Sequence, residues 1–467
     1  MAFLTTYSND RRAFEQGRLS VSDRLEEFLQ RIKNREALNA FVRIYASEAR
    51  SRANEIDIKI RNKTHGKLAG LIVGLKDNIA WKGHELNAAS RILENYQPTY
   101  SATVVERLLQ EDAIILGHLN CDEFAMGSAN ELSKYGRTKN PYDESRTTGG
   151  SSGGPAAAVS AGLCHVALGS DTGGSVRQPA AFCGVYGMKP TYGLVSRYGL
   201  VTYASTLDQI GPLANSTSDL QKVLDVVSGP DKKDHTLVAD FPATGQENPG
   251  VIGYFKEVMD YPGLDTEIRM YFRYLLDILK EQGFQIRPLE FPYFNHLLPL
   301  YNILTTSEAA TNLARYDGVR YGKRIEGKNW KESILNTRTK GFGPEVKRKI
   351  MMGNTVLLHN EKHRYYDDAT KLRRKVKNFT DGLFGQVGFL ISPTTPTVAH
   401  PSFAKKEVLE RYKADVFTFH ANLTGIPALN IPVFSHSGGL PFGIQISGNA
   451  FTDENLFDLA QQIRPLL

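Results

Sequence analysis

An α/β architecture is predicted by three features of the chain. Short apolar runs of strand length alternate with segments of helical spacing. One of those runs, Leu163–Leu168, ends at a glycine turn of the kind that closes a buried strand. The 467 residues, 41% of them hydrophobic, are enough to bury a large core, as two or three domains or as one large unit.

Taken in order, Ser20 and Asp23 make a capping-box-like start to a first helix with Leu25, Phe28, Leu29 and Ile32 on one face. Leu38–Ile44 reads as a strand, and a second apolar run from Leu68 delivers Lys76, followed at once by Asp77 and Asn78. Thr103–Gln110 has helical spacing and Ala113–Gly117 strand character, leading to Asn120–Gly127 (NCDEFAMG). Lys139–Thr148 reads as loop. From Thr147 to Ala181, the glycine clusters GGSSGG and GSDTGGS enclose a helix-like stretch, Pro155–Gly162, with Pro155 where a first helical turn tolerates it. Residues 229–250 turn polar, which predicts a surface connection inside one fold. Beyond it come a strand at Val251–Tyr254 and a helix capped by Asp265, with Ile268, Phe272, Leu275, Leu276 and Leu279 on one face and its end at Gly283. Val387–Ile391, Leu429–Val433 and Gly443–Ile446 read as strands and Glu454–Ile463 as a closing helix.

Several function classes are disfavoured. A net charge of +6 is small for this length and does not mark a nucleic-acid-binding domain. The basic run Lys371–Lys377 has the helical spacing of a solvated face. Cys121, Cys164 and Cys183 lack CxxC spacing, which argues against zinc and against a disulfide framework and for a reducing, cytoplasmic setting. The N-terminus lacks the pattern of a secretory signal, and no apolar run is long enough to span a bilayer. No glycine loop carries the Lys-Ser/Thr pair of a P-loop. GGSSGG also fits a GxSxG elbow through Ser151 or Ser152, but an elbow needs a strand directly before it and the sequence there is loop.

The chemistry points to acyl transfer. A strand running into a glycine turn that exposes Ser175 at a helix start is a setting for a nucleophile, because glycines let backbone N–H groups approach a developing oxyanion. A serine needs a base. None of the eleven histidines has a triad setting, whereas Lys76 closes an apolar run, and burial lowers a lysine pKa toward a neutral, basic amine. Asp122 and Glu123 lack a glycosidase or metal context and are expected to hydrogen-bond around the site's mouth. Cys121, beside those carboxylates, is expected to be structural.

Lys76, GGSSGG and SDTGGSVRQPAAFCGVYGMKPTYG together resemble the amidase signature family, serine amidohydrolases with a Ser-Ser-Lys triad. The resemblance implies one mixed sheet with helices on both faces. It implies Lys76 as ultimate base, Ser151 as relay through a cis peptide, Ser175 as nucleophile, and the N–H groups of Thr172, Gly173, Gly174 and Ser175 as oxyanion donors. It also implies a single amidase domain over 1–467: a mainly helical part at 1–66, the signature core at 68–215, the connection at 229–250, and a second half at 251–467 holding the substrate pocket.

Asn120–Gly127, Tyr192–Gly199 and Ser205–Pro212 are similar, within that family, to glutamine-hydrolysing subunits of tRNA-dependent amidotransferases. There a tyrosine, an arginine and an aspartate hold glutamine, and Tyr301 and Asp415 match two of them. The arginine position aligns with Lys349, which keeps the charge but loses the planar two-point grip, so either Lys349 or its neighbour Arg348 takes the carboxylate. Pro155 and His118 are further departures. The resemblance implies no cofactor or metal in this chain, ATP and Mg on a partner, B and C subunits completing a heterotrimer, and Glu-tRNA(Gln) met mainly through the partner. A free-standing amidase acting on another small amide is the alternative.

Overall fold

Eleven strands of the computed structural model, which describes residues 5–239, 248–403 and 413–466, pair into one mixed sheet. They are β1 (Phe41–Ile44), β2 (Ile72–Lys76), β3 (Ile114–Leu119), β4 (Val166–Asp171), β5 (Tyr186–Lys189), β6 (Gln209–Ala214), β7 (Val251–Phe255), β8 (Gln285–Leu289), β9 (Phe389–Pro393), β10 (Ala428–Ser435) and β11 (Pro441–Ser447). The order across the sheet is β1-β3-β2-β4-β6-β5-β10-β11-β9-β7-β8. β2 runs parallel to both β3 and β4, and β7 parallel to β8 and β9, while every other pairing is antiparallel.

β2, β3 and β4 are buried along their whole length because helices cover both faces, as parallel strands require. Alternate side chains go to opposite layers. Ile72, Ile114, Leu116 and Ala167 pack under Phe28, Ile32, Ala53, Ile56 and the alanines of the helix Gly153–Ser160. Val73, Leu75, Ile115, Val166 and Leu168 face the other way, toward the helices Thr103–Gln110, Thr217–Val227 and Asp453–Ile463. A third cluster lies under the helices Leu297–Asn312, Pro344–Leu357 and His359–Leu383 of the second half. The two halves meet where β5 pairs with β10 (Lys189 with Ala428, Met188 with Leu429, Gly187 with Asn430).

Local signals behave as their chemistry dictates. Ser20 accepts from Asp23 N at 2.9 Å and Asp265 from Glu267 N and Ile268 N. The strand expected from Leu38 begins at Phe41, because Glu36–Leu38 is a 3-10 turn and Asn39 is left-handed at φ 54°. The helix expected from Pro155 begins two residues earlier. Residues 240–247 of the expected connection lie outside the described residues. Arg373, inside the basic run, is no solvated side chain: it donates to Leu423 O at 2.9 Å and to Thr206 O at 2.8 Å. Among the described residues, no helix is long and apolar enough to cross a membrane.

Contacts far apart in sequence close the ends. In the helix Tyr7–Glu15, Tyr7 N and Ser8 N donate to Asp219 at 2.9 Å each, and Asp10 pairs with His165 Nε2 at 2.8 Å. Asp453, opening the last helix, accepts from Thr191 N at 2.8 Å.

Candidate active site

Lys76 is the last residue of β2, and the sheet delivers its side chain into a fully buried polar pocket. Its Nζ lies 2.7 Å from Ser151 Oγ, 2.9 Å from Ser152 Oγ, 2.9 Å from Ser170 Oγ and 3.3 Å from Ser170 O. Burial outweighs the carboxylates around it and pushes the amine down to about 8. Asn78 Nδ2 donates to Ser170 Oγ at 2.9 Å, fixing one of the hydroxyls around the amine.

The serine cluster is fastened on three sides. The Gly150–Ser151 peptide is cis. Gly150 N donates to Gln178 Oε1 at 2.9 Å, and Asp122 N donates to Ser151 O at 3.3 Å. Ser152 N donates to Ser175 O at 3.1 Å, tying this cluster to the second glycine turn. Ser175 keeps 8% of its surface exposed, and among the described residues its Oγ makes no hydrogen bond. An apo site often tightens such links only when substrate binds.

The turn after β4 is built around a carboxylate that the sequence did not single out. Asp171 accepts from Gly174 N at 2.8 Å, Val176 N at 3.1 Å and Asn422 Nδ2 at 2.9 Å, and pairs with Arg177 at 3.0 Å. Both partners of that ion pair are fully buried, and Arg177 holds the Asp171 carboxyl well below the usual carboxylate range against the opposing effect of burial. Arg177 goes on to Gln445 Oε1 at 2.9 Å, Thr418 O at 3.0 Å and Asn422 Oδ1 at 2.7 Å, all from the second half. Of the four expected oxyanion donors, Gly174 N–H is therefore committed to Asp171. The N–H groups of Thr172, Gly173 and Ser175 carry no hydrogen bond among the described residues.

The second half closes over this turn. A Cβ on Gly173 would come within 2.6 Å of the Tyr301 ring, which stacks on Phe419 at 4.3 Å between centroids. The helix Pro344–Leu357 sends its two adjacent cations in different directions. Lys349 is 2% exposed with Nζ 3.1 Å from Tyr203 Oη, whereas Arg348 folds back on Glu345 at 2.8 and 2.6 Å along the outer surface. Asp415 is buried, with burial and Asp171 pushing its carboxyl well up while Arg177, Lys349 and a Ser128 hydrogen bond oppose them. One of its oxygens has no hydrogen-bond partner among the described residues.

Asp122 and Glu123 brace the surroundings. Asp122 accepts from Asn130 N at 2.9 Å and Leu132 N at 3.1 Å, and Glu123 from Gly343 N at 3.0 Å. Burial pushes the Cys121 thiol far up, as befits a structural side chain. His118, equally buried, is held neutral at about 4 by burial, between Tyr45 Oη at 2.7 Å and Ile79 O at 3.1 Å. Asp171, Arg177, Thr418, Asn422 and Tyr203 belong to the site's framework and went unremarked in the sequence. For Asp171 and Arg177 a signal existed, since an acid and a base flanking GGS are six residues apart; for the others only tertiary structure brings them in.

The amidase family model (described as Amidase) matches residues 23–457, and the chain belongs to that family. It is 41% identical to the A subunit of the glutamyl-tRNA(Gln) amidotransferase of Synechococcus sp. (strain CC9605), over 98% of this chain and 95% of the relative. The corresponding A subunit of Nostoc punctiforme (strain ATCC 29133 / PCC 73102) is 44% identical over 93% of this chain and 92% of its own length. Among solved structures, the A subunit of the glutamyl-tRNA(Gln) amidotransferase of Thermotoga maritima superposes with a TM-score of 0.77 at 34% identity, covering 96% of this chain and 94% of that one. The native peptide amidase of Stenotrophomonas maltophilia reaches 0.84 at 27% identity, covering 99% and 96%.

Proposed function

We propose that this chain is the glutamine-hydrolysing subunit of a tRNA-dependent amidotransferase. The observation that carries the reading is the burial of a lysine and a carboxyl group in the half that closes over the glycine turn. Lys349 and Asp415, both buried, suit the α-carboxylate and α-ammonium of free glutamine, while the amide reaches Ser175. A pocket for an uncharged amide gains nothing from burying a lysine and a carboxyl group whose charged form only an incoming ammonium would favour.

In this mechanism neutral Lys76 takes the proton of Ser151, and Ser151 takes that of Ser175 as its Oγ attacks the side-chain amide carbon. The tetrahedral oxyanion is held by the free N–H groups of Thr172, Gly173 and Ser175. The relay returns the proton to the leaving nitrogen, ammonia departs, and water hydrolyses the glutamyl ester on Ser175 by the same route. Tyr301 lies over the turn and shields it from solvent. The chain acts as one catalytic unit in the cytoplasm. Its ammonia passes to a B subunit that activates Glu-tRNA(Gln) with ATP and Mg, with a C subunit completing the heterotrimer.

The test is glutamate release from glutamine by the purified chain, alone and with its B and C partners, ATP and Glu-tRNA(Gln), with Ser175→Ala as control. Release that needs Ser175 and rises in the full assembly is the expected result. Turnover of simple amides by the lone chain, with glutamine refused in both settings, would move the function to a free-standing amidase.

A further inference from the structure

The peptide unit joining Gly173 to Gly174 sits in the middle of the turn that carries Ser175, and it is gripped at both ends. Its N–H end donates to Asp171 Oδ1 at 2.8 Å. Its carbonyl end accepts from Thr418 Oγ1 at 2.6 Å. The Thr418 hydroxyl has a single proton and a second acceptor within reach, Asp415 O at 2.8 Å, but that carbonyl already receives Thr418 N–H at 3.0 Å. The hydroxyl proton is therefore assigned to Gly173 O, the shorter contact.

Asp171 and Thr418 are themselves joined. Arg177 pairs with Asp171 and donates to Thr418 O at 3.0 Å, and Asn422, one helical turn after Thr418, donates to Asp171 Oδ1 at 2.9 Å. The result is a closed, buried ring running Asp171, Arg177, Thr418, Gly173–Gly174 and back to Asp171. Space is tight as well: a Cβ on Gly174, at φ +127°, would fall 2.1 Å from Thr418 Oγ1. A peptide unit held by its oxygen and its hydrogen together cannot rotate without breaking both bonds. That fixes the direction of the N–H groups flanking it, on Gly173 and Ser175.

We propose that Thr418 is a positioning residue for the oxyanion site: through Gly173 O it holds the glycine turn in the orientation that aims the Gly173 and Ser175 N–H groups at the reacting oxygen. Because Thr418 lies three residues after Asp415 in the same short segment, the substrate-gripping carboxylate and the turn are built on one support. The inference rests on the proposed roles of Ser175 and Asp415, and goes beyond them by naming what sets the turn.

The test compares Thr418→Val, Thr418→Ala and Thr418→Ser with the unaltered chain in its complete assembly, measuring kcat and KM for glutamine alongside the thermal melting of each variant. The valine and alanine variants are expected to lose about 10- to 100-fold in kcat, below the loss usual for deleting an oxyanion donor outright, with KM within about threefold. Serine, which keeps the hydroxyl, is expected to restore kcat to within about threefold. A rise in KM with kcat intact would overturn the proposal and assign Thr418 to the Asp415 segment alone. Equal loss in Thr418→Ser and Thr418→Val would also overturn it, by making the methyl rather than the hydroxyl the active feature. If the unaltered assembly fails to release glutamate from glutamine, the reading of the substrate fails instead; the same comparison is then made on the simple amide that the chain does turn over. Should Thr418→Val melt out below assay temperature, Thr418→Ala and Thr418→Ser carry the comparison.

Discussion

Lys76, proposed as the base, is an amine tuned by burial. With its pKa lowered from the ordinary lysine value to about 8, roughly a tenth of it is neutral at pH 7. Glutamine hydrolysis is therefore expected to climb with pH through about 8 and level off above, which a profile of kcat/KM checks. The sign for stability follows. Between about 8 and the ordinary lysine value the unfolded chain holds a proton that the folded one has lost, so this group favours folding more as pH rises there. Lys349 and Arg348 permit a second test, because the structure separates neighbours that the sequence leaves as alternatives. Lys349→Gln should raise KM for glutamine at least about tenfold with little change in kcat, the mark of lost ground-state binding, while Arg348→Gln leaves both near their original values. Of the proposed triad, the glycine turn marked Ser175 and an apolar run marked Lys76 as a candidate, while Ser151 entered only through the family resemblance. Thr418 and Asn422 were not legible, since a threonine and an asparagine in a helical segment bear no mark of the carbonyl and carboxylate they touch 245 residues or more away.

At the scale of elements, the decisive contact is between the helices Leu297–Asn312 and Pro344–Leu357, which carry Tyr301 and Lys349. They touch at Gly353, where an added Cβ would stand 1.9 Å from Thr306 O. Gly353 lies one turn beyond Lys349 and so sets how deep that lysine reaches. Gly353→Ala is expected to destabilise by about 1–3 kcal/mol through overpacking and to raise KM for glutamine as Lys349 is displaced, measurable by thermal unfolding and steady-state kinetics. Helices were read well where the period is clear, as at Thr103–Gln110, and where period and cap agree, as at Asp265. β5, β6 and β8 escaped notice because glycine or proline leaves each without an apolar run longer than two residues, a cost inside a strand that is met here by buried neighbours on both sides for β5 and β6.

For the whole molecule, the sheet makes both halves one object while hydrogen bonds to distant carboxylates fasten its ends. Asp219 holds the first helix from more than 200 residues away. Asp219→Asn keeps the shape but weakens those charge-assisted bonds, and should cost about 1–3 kcal/mol with catalysis at low temperature unaltered, as denaturant unfolding and an activity assay would show. Global form was legible as α/β alternation, but strand order was not, because nothing local states that β5 will find β10.

That seam has a historical consequence. The groups proposed to move protons come from the chain before residue 176, and the groups proposed to grip substrate come from beyond residue 300, brought together by the β5–β10 pairing and the Asp171–Arg177 ring among other contacts. Heredity can therefore rewrite what is recognised while leaving untouched how the bond is broken. Descendants of one hydrolytic engine are free to take up new amides, as the near superposition of a peptide amidase at 27% identity illustrates.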